Sequence, residues 1–349
     1  MKYPSGLKAR ILALLLGGLA LPVILLGVGA YWYLSTFETT TRMEQYLADV
    51  ALLTMRQIDA VLDRAAAATR SLAVDGAIVG ALEAGGASNE AALTEHLNEL
   101  VGYLDVAELL VVVDIGGRLV AVNDPRPGDW QISSSPLSAG GELGGLEPEW
   151  VGPTLAGSLN APGLQKVNRS KSGLAERLGA HGSGEGEDSY FVRYAAPVRS
   201  GGEIIGAVCI FLPWHRVQVD IMDRVAEDFA AAGYDTGYAY MMDADGRTII
   251  GHARREFYGT DVVSFHGLPS VWKAILAGER HHTYEFPENT WKIAGLATSQ
   301  STYGFGWTIG TGIDFPDIYE HVKQVGVAYG LAVLVLTIVT SLIAVRMVR

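Results

Sequence analysis

The side chains with most chemical potential in this sequence are a few aromatic residues and one arginine. Trp130 and Trp150 fall in or beside long loops interrupted by glycine and proline. A surface loop has little structural need for tryptophan, so both are expected to wall a ligand pocket. Simple loop packing is the competing reading, because an amphipathic ring serves both uses. Tyr190, Phe191, Arg193 and Tyr194 share one strand-like run. Turned inward, Arg193 would clamp an anion through two parallel hydrogen bonds; turned outward, it would follow the commoner fate of arginine. The expected ligand-contacting set is Trp130, Trp150, Tyr190, Arg193 and Tyr194.

Other groups read as structural. Asp243 and Asp245 resemble the opening of a calcium loop, but the later ligands and the closing glutamate are missing. A hairpin turn explains them through ordinary Asp and Gly turn preferences. His281 and His282 are adjacent, which points them to opposite faces of a strand, and no HExxH or second cluster supports a metal. Cys209, the sole cysteine, sits in the apolar run Ala207-Val-Cys-Ile-Phe-Leu212 and reads as a small buried residue. No disulfide is available, which fits a prokaryotic exterior better than a eukaryotic one. Asn168-Arg-Ser170 fits a glycosylation triplet, which carries little weight there. No nucleophile elbow, phosphate loop or kinase signature occurs. The expectation is a protein that is not an enzyme, with no cofactor and no metal.

Composition places these residues on a membrane-bound scaffold. The chain has 349 residues, net charge -12 and a mean hydropathy of +0.22, high for a soluble protein. The apolar residues gather at the ends. Residues 11–34 form an uncharged run of about 24 residues and residues 325–345 one of about 21, each long enough to cross a bilayer. Lys2, Lys8 and Arg10 precede the first run, and Arg346 and Arg349 follow the second. Basic flanks put the tails 1–10 and 346–349 in the cytoplasm. Tyr31, Trp32 and Tyr33 suit an interfacial anchor. A cleavable signal peptide is the rival reading of the first run, with Val28-Gly-Ala30 as its cleavage site; the length of the run favours an uncleaved anchor. Every Asp and Glu lies between the spans, from Glu38 to Glu320. So acidic a surface excludes nucleic acid as a partner.

Between the spans the pattern is duplicated. Leu47, Val50, Thr54, Ile58, Val61, Ala65, Ala68 and Leu72 recur at helical spacing, predicting a long stalk helix over 38–84. Its alanine-rich stripe suits contact with its own domain or with a second copy, giving a homodimer. A shorter helix is expected from Glu90 to Leu104. Strand-like runs then flank a turn at Asp114 and Gly117, and again at Asp243 and Gly246. Longer strand pairs follow each: Tyr190–Val198 with Ile204–Leu212, and Trp291–Ala297 with Trp307–Phe315. Leu212-Pro213 and Phe315-Pro316 close the two units alike. Two α/β modules are therefore predicted, at 85–215 and 235–320, joined by a helix over 216–234. The stretch 140–186 reads as a long functional or disordered loop.

This layout resembles the double Cache sensor domains of prokaryotic chemoreceptors and sensor histidine kinases. The resemblance rests on Arg70-Ser-Leu-Ala-Val-Asp75 with Ile78 and Leu82, on Ala196-Pro-Val198 with Gly202 and Gly206, on Asp243-Ala-Asp-Gly246, and on Gly306-Trp307. It implies an α/β (α+β) chain: two tandem PAS-like antiparallel-sheet modules on a long N-terminal helix, flanked by two transmembrane helices. It also implies a small-molecule ligand in the membrane-distal module and a conformational signal passed across the plasma membrane, with residues 38–320 extracytoplasmic. A tethered interaction module for a separate receptor, kinase or transporter is the alternative. The sequence departs from the amino-acid-binding branch. Glu147-Pro-Glu-Trp-Val151 lacks that branch's Arg and Tyr, and Ala207, Val208 and Cys209 stand where it carries an Asp. No amino-acid ligand is expected from resemblance. Because the chain stops at Arg349, the output domain is expected on a cytoplasmic or membrane signalling partner, or on a missing portion.

Overall fold

The computed structural model describes residues 25, 27, 29, 39–85, 90–104, 107, 109–123, 148–157, 159, 161, 163–168, 188–287 and 289–348. Helix α1 runs from Thr39 to Leu72, α2 from Gly76 to Glu83 and α3 from Glu90 to Tyr103. The helix expected over 38–84 is thus two, bent by 48° at the break. Asp75 causes the break. Its carboxylate accepts from the backbone N–H of Ala77 and Ile78, satisfying donors that a new helix start leaves open. The residues expected on the inner face of α1 are there: Leu47, Ile58 and Ala65 are fully buried, and Thr54 and Leu72 nearly so.

The first sheet comprises β1 (Leu109–Asp114), β2 (Leu119–Val122), β3 (Leu164–Asn168), β4 (Asp188–Ser200) and β5 (Glu203–Pro213), with α4 (Pro148–Leu155) between β2 and β3. The stretch 140–186, expected as loop, therefore contains a helix and an edge strand. After β5 the chain turns into α5 (Trp214–Val217), a π-helical turn over Gln218–Asp223 and α6 (Arg224–Ala231), ending before Gly233 at φ 90°. The second sheet comprises β6 (Tyr238–Met242), β7 (Ile249–His252), β8 (His281–Glu285), β9 (Trp291–Thr298) and β10 (Thr308–Asp314), with α7 (Pro269–Leu276) before β8. Helix α8 (Phe315–Val348) follows β10 without a linker.

The sheets run β2-β1-β5-β4-β3 and β7-β6-β10-β9-β8. Counted within each module, the order is the same, and every pair is antiparallel. The matching hairpins are built alike. Asp114 accepts from the N–H of Gly116 and Arg118, Asp243 from those of Arg247 and Thr248. Gly117 and Gly246 supply positive φ of 76° and 67°.

Helix α1 is the common backing. Its buried stripe shares one core with Val192, Tyr194 and Leu212 of the first sheet, Trp214 and Phe229 of the connecting helix, and Met241, Ile293 and Ile309 of the second. The approach to the second sheet is closest at Gly295 of β9. A Cβ there would lie 2.1 Å from the carbonyl carbon of Leu47. Thr311 of β10 donates to the Leu47 carbonyl at 2.8 Å.

Among the described residues no single helix is long and apolar enough to cross a membrane; α1 and α2 meet that measure only as a bent pair. Their apolar stripe is already buried against the sheets. The expected first span lies outside the described residues apart from 25, 27 and 29. The expected second span, 325–345, lies within α8, where Val327, Leu331, Leu334, Val335, Ile338 and Leu342 are exposed.

Gly295→Ala forces a methyl group into helix backbone, which cannot rotate away as a side chain would. It is expected to destabilise the fold by about 2–3 kcal/mol, read as a lowered denaturant midpoint of the full chain.

Candidate ligand-sensing site

Strand β4 decides where the expected site residues point. Successive side chains on a strand alternate between faces. Tyr190, Val192 and Tyr194 therefore share one face, and Phe191, Arg193 and Ala195 the other. Phe191 and Ala195 belong to a cluster with Val111, Cys209 and Phe211. Arg193 pairs in register with Phe211 and is only 1% exposed. The guanidinium is thus held inside the protein, on the sheet face turned away from α1. Leu155 of α4 packs on this cluster, so α4 covers the same face. Trp150 is a residue of α4, although its side chain lies outside the description. Trp130 lies outside the described residues altogether.

Tyr190 and Tyr194 do not join Arg193. Tyr190 meets Tyr258 of the second module edge-on, at 5.2 Å between centroids. Tyr194 is fully buried and donates to the Tyr303 carbonyl at 2.9 Å. Burial, with Asp63 and Asp59 nearby, raises its pKa far above the ordinary phenol value. Of the five expected residues, then, β4 carries one toward the α4 side and two toward the second module.

Cys209 stands beside Arg193's strand, opposite Ala195. Burial pushes its thiol far up, against the opposing pull of Arg193's charge. A thiol kept protonated is a packing group.

The corresponding face of the second sheet holds a set of residues that the sequence reading missed. Tyr238, Tyr240, Tyr284, His252, His266 and Phe257 line a cavity of about 30 Å³, room for roughly one or two waters. The Tyr238 and Tyr284 hydroxyls are 3.3 Å apart. The buried Tyr240 hydroxyl makes no close hydrogen bond among the described residues and interacts with the Tyr284 hydroxyl. His252 Nδ1 accepts from the Arg254 N–H at 2.9 Å, so the neutral ring carries its proton on Nε2. Alternation in Tyr238-Ala-Tyr240 was the available signal: it puts both rings on one face.

Comparison with known proteins places this geometry. Residues 218–326 match the family model described as Single Cache domain 2. Among curated proteins none matches the sequence. Among solved structures, the chain is similar to the extracellular domain of vpHK1S-Z8, a candidate histidine kinase, with TM-score 0.55 and 9% identity, covering 81% of this chain and 95% of that one. It is also similar to the ligand-binding domain of Mlp24 with asparagine, with TM-score 0.50 and 14% identity, covering 81% and 98%. The ligand-binding domain of the Pseudomonas fluorescens chemoreceptor CtaA in complex with L-serine gives 0.49 and 16%, over 79% and 98%. At such identities the likeness is one of fold. Residues 218–326 thus match a Cache domain, and the chain shares the fold of these domains, in agreement with the resemblance read from the sequence.

His252 supplies a pH test of the second cavity. Burial first, then the positive charges of Arg254, Arg255 and Lys292, lowers its pKa from 6.5 to about 4. The unfolded chain therefore binds the proton more readily between those values. The folded state keeps this contribution above about pH 6.5 and loses it as pH falls toward 4. Urea midpoints are expected to fall more between pH 7 and 4.5 for the native sequence than for His252→Gln.

Proposed function

We propose that this chain is a membrane-anchored extracytoplasmic sensor that binds a small organic anion on the Arg193 face of its first, membrane-distal module. The observation carrying this reading is the guanidinium at 1% exposure on a sheet face covered by α4. A buried arginine fork matches the geometry of a carboxylate or phosphate. The Mlp24 domain, which has this fold, was solved with asparagine, so a ligand of that size suits the architecture. Ala207, Val208 and Cys209 of β5 offer no acid there to meet an ammonium group. The anion is therefore the part recognised.

The modules are read as occupying 85–215 and 235–320, the distal one sensing and the proximal one relaying. The exposed apolar residues of α8 and Arg346 beyond them support a second span with its end in the cytoplasm. Residues 11–34 would form the first span. Leu53, exposed on α1, supports a homodimer through that helix. The conformational signal would pass to an output domain on a partner or on a further portion of the protein.

A second placement of the ligand is favoured by one observation, the cavity of the second module lined by the Tyr238, Tyr240 and Tyr284 side chains. Thermal unfolding of the full chain in detergent, against acetate, lactate, succinate, phosphate, L-serine and asparagine, separates the two. An anion at 100 times its Kd is expected to stabilise the native sequence by about 2.7 kcal/mol. Arg193→Lys keeps the charge but loses the fork, and should weaken binding about tenfold or more. A shift that survives Arg193→Lys but is lost in Tyr240→Phe would move the site to the proximal module. No shift with any compound would count against direct sensing.

A further inference from the structure

The turn between β9 and β10, residues 299–307, reaches out of the second module and is held from two sides. On one side lies α1. Asp59, which is 8% exposed, accepts from the Ser299 hydroxyl at 2.6 Å and the Gln300 N–H at 3.2 Å. One turn further along, Asp63 accepts from the Ser301 hydroxyl. Near the end of the helix Arg70 donates to the Tyr303 hydroxyl, with its guanidinium 4.8 Å from that ring's centroid. Spacings of four and seven keep the three on one helix face.

On the other side lies the distal module. The Tyr303 carbonyl accepts from the Tyr194 hydroxyl at 2.9 Å. Phe305 lies against the Tyr194 ring at 5.9 Å and against Trp307 at 4.7 Å. Trp307 meets Trp214, the first residue after β5, edge-on at 5.2 Å. Trp214 in turn donates to the Ile250 carbonyl at 2.6 Å.

The tip has little freedom to sit otherwise. A Cβ on Gly304 would lie 1.8 Å from the Ser299 hydroxyl and 2.4 Å from an Asp59 carboxylate oxygen. Phe305 is held at φ 59°, a region that a bulky side chain enters only when its surroundings impose it.

We propose that this tip is a conformational coupler, wedged between the back of β4 and α1, on which β4 bears through Tyr194. Tyr194 is the next residue after Arg193 and faces the opposite way. A ligand that draws Arg193 and its strand by a fraction of an ångström displaces the Tyr194 hydroxyl from the tip. The tip's other contacts then carry the change to Asp59, Asp63 and Arg70. The direction of travel, from ligand to helix, rests on the distal-site reading above; the mechanical link does not.

Amide hydrogen exchange of the full chain in phospholipid nanodiscs, with no ligand added, tests the link. Tyr194→Phe removes one hydroxyl and keeps the ring. Exchange is expected to quicken at least about threefold both at 299–307 and in α1 over 59–72, through local opening. The β1–β5 ladder should keep its native rates. Gly304→Ala disturbs the tip from its own side and should give the same signature in α1. A change confined to β4 would overturn the proposal, as would unaltered α1 rates in Gly304→Ala. So would loosening of the whole distal sheet, which marks general destabilisation. Because no ligand enters, a misplaced ligand site leaves these outcomes untouched and shows instead in the thermal shifts.

Discussion

Helix α1 lies against β9 with no space for a single methyl group at Gly295, and the rest of the molecule is arranged around that contact. A close approach of backbone to backbone leaves the helix little room to slide over the sheet, because interiors packed at crystal density transmit displacement rather than absorb it. Thr311 pins the same place from the neighbouring strand by donating to the Leu47 carbonyl. From that point the helix extends past the second sheet to the first, and its apolar stripe enters one core with both. Two modules that each have buried clusters of their own are thereby joined by a shared one. The first module adds its own layer beneath α2 and α3, through Ile78, Leu82, Leu97 and Val112.

The duplicated sheets divide their faces in the same way. One face of each is packed by helix, and the other is closed by loops and short helices. In the second module that far face holds tyrosine, histidine and phenylalanine rings around a small cavity. In the first it holds phenylalanine rings, a cysteine and the buried Arg193. The same fold thus presents two chemistries. The face of the second sheet offers neutral hydroxyls and an imidazole kept uncharged by burial. The face of the first sheet offers a fixed positive charge, that of Arg193.

Much of this architecture was legible in the residues, and the parts that were not have physical reasons. The paired hairpins were readable because Asp and Gly at Asp114–Gly117 and Asp243–Gly246 are demanded by local turn geometry. The inner stripe of α1 was readable because helical spacing is a local property. The break at Asp75 was missed because apolar spacing continues through it; the capping aspartate was the only local mark. Helix α4 and strand β3 were hidden by the glycines and prolines around them. The π-helical turn at Gln218–Asp223 depends on distant partners: Gln218 accepts from Tyr258 and from the His252 N–H. Arg193 and Tyr194 were placed on the right strand but grouped as one site, although alternation alone sends them apart.

The exit of the chain from the second module continues the logic of tight joints. β10 is the central strand of its sheet, and α8 starts at the next residue. Asp314, the last residue of the strand, is paired with Lys292 on β9. Asp317, in the first turn of the helix, accepts from both the N–H and the hydroxyl of Thr236 at 2.7 Å. The same Thr236 hydroxyl accepts from the Asp314 N–H at 3.0 Å. Strand end, helix start and the segment leading into β6 are therefore tied at one half-buried point. A helix leaving a sheet through a flexible linker could be displaced without the sheet responding. Here any tilt of α8 must move Asp317, and with it Thr236 and the edge of β6. The two ends of the second module are thus built on one principle: the β9–β10 tip is locked to α1, and the opposite end of β10 is locked to α8. A rigid strand between two helices is the element through which motion of one would have to reach the other.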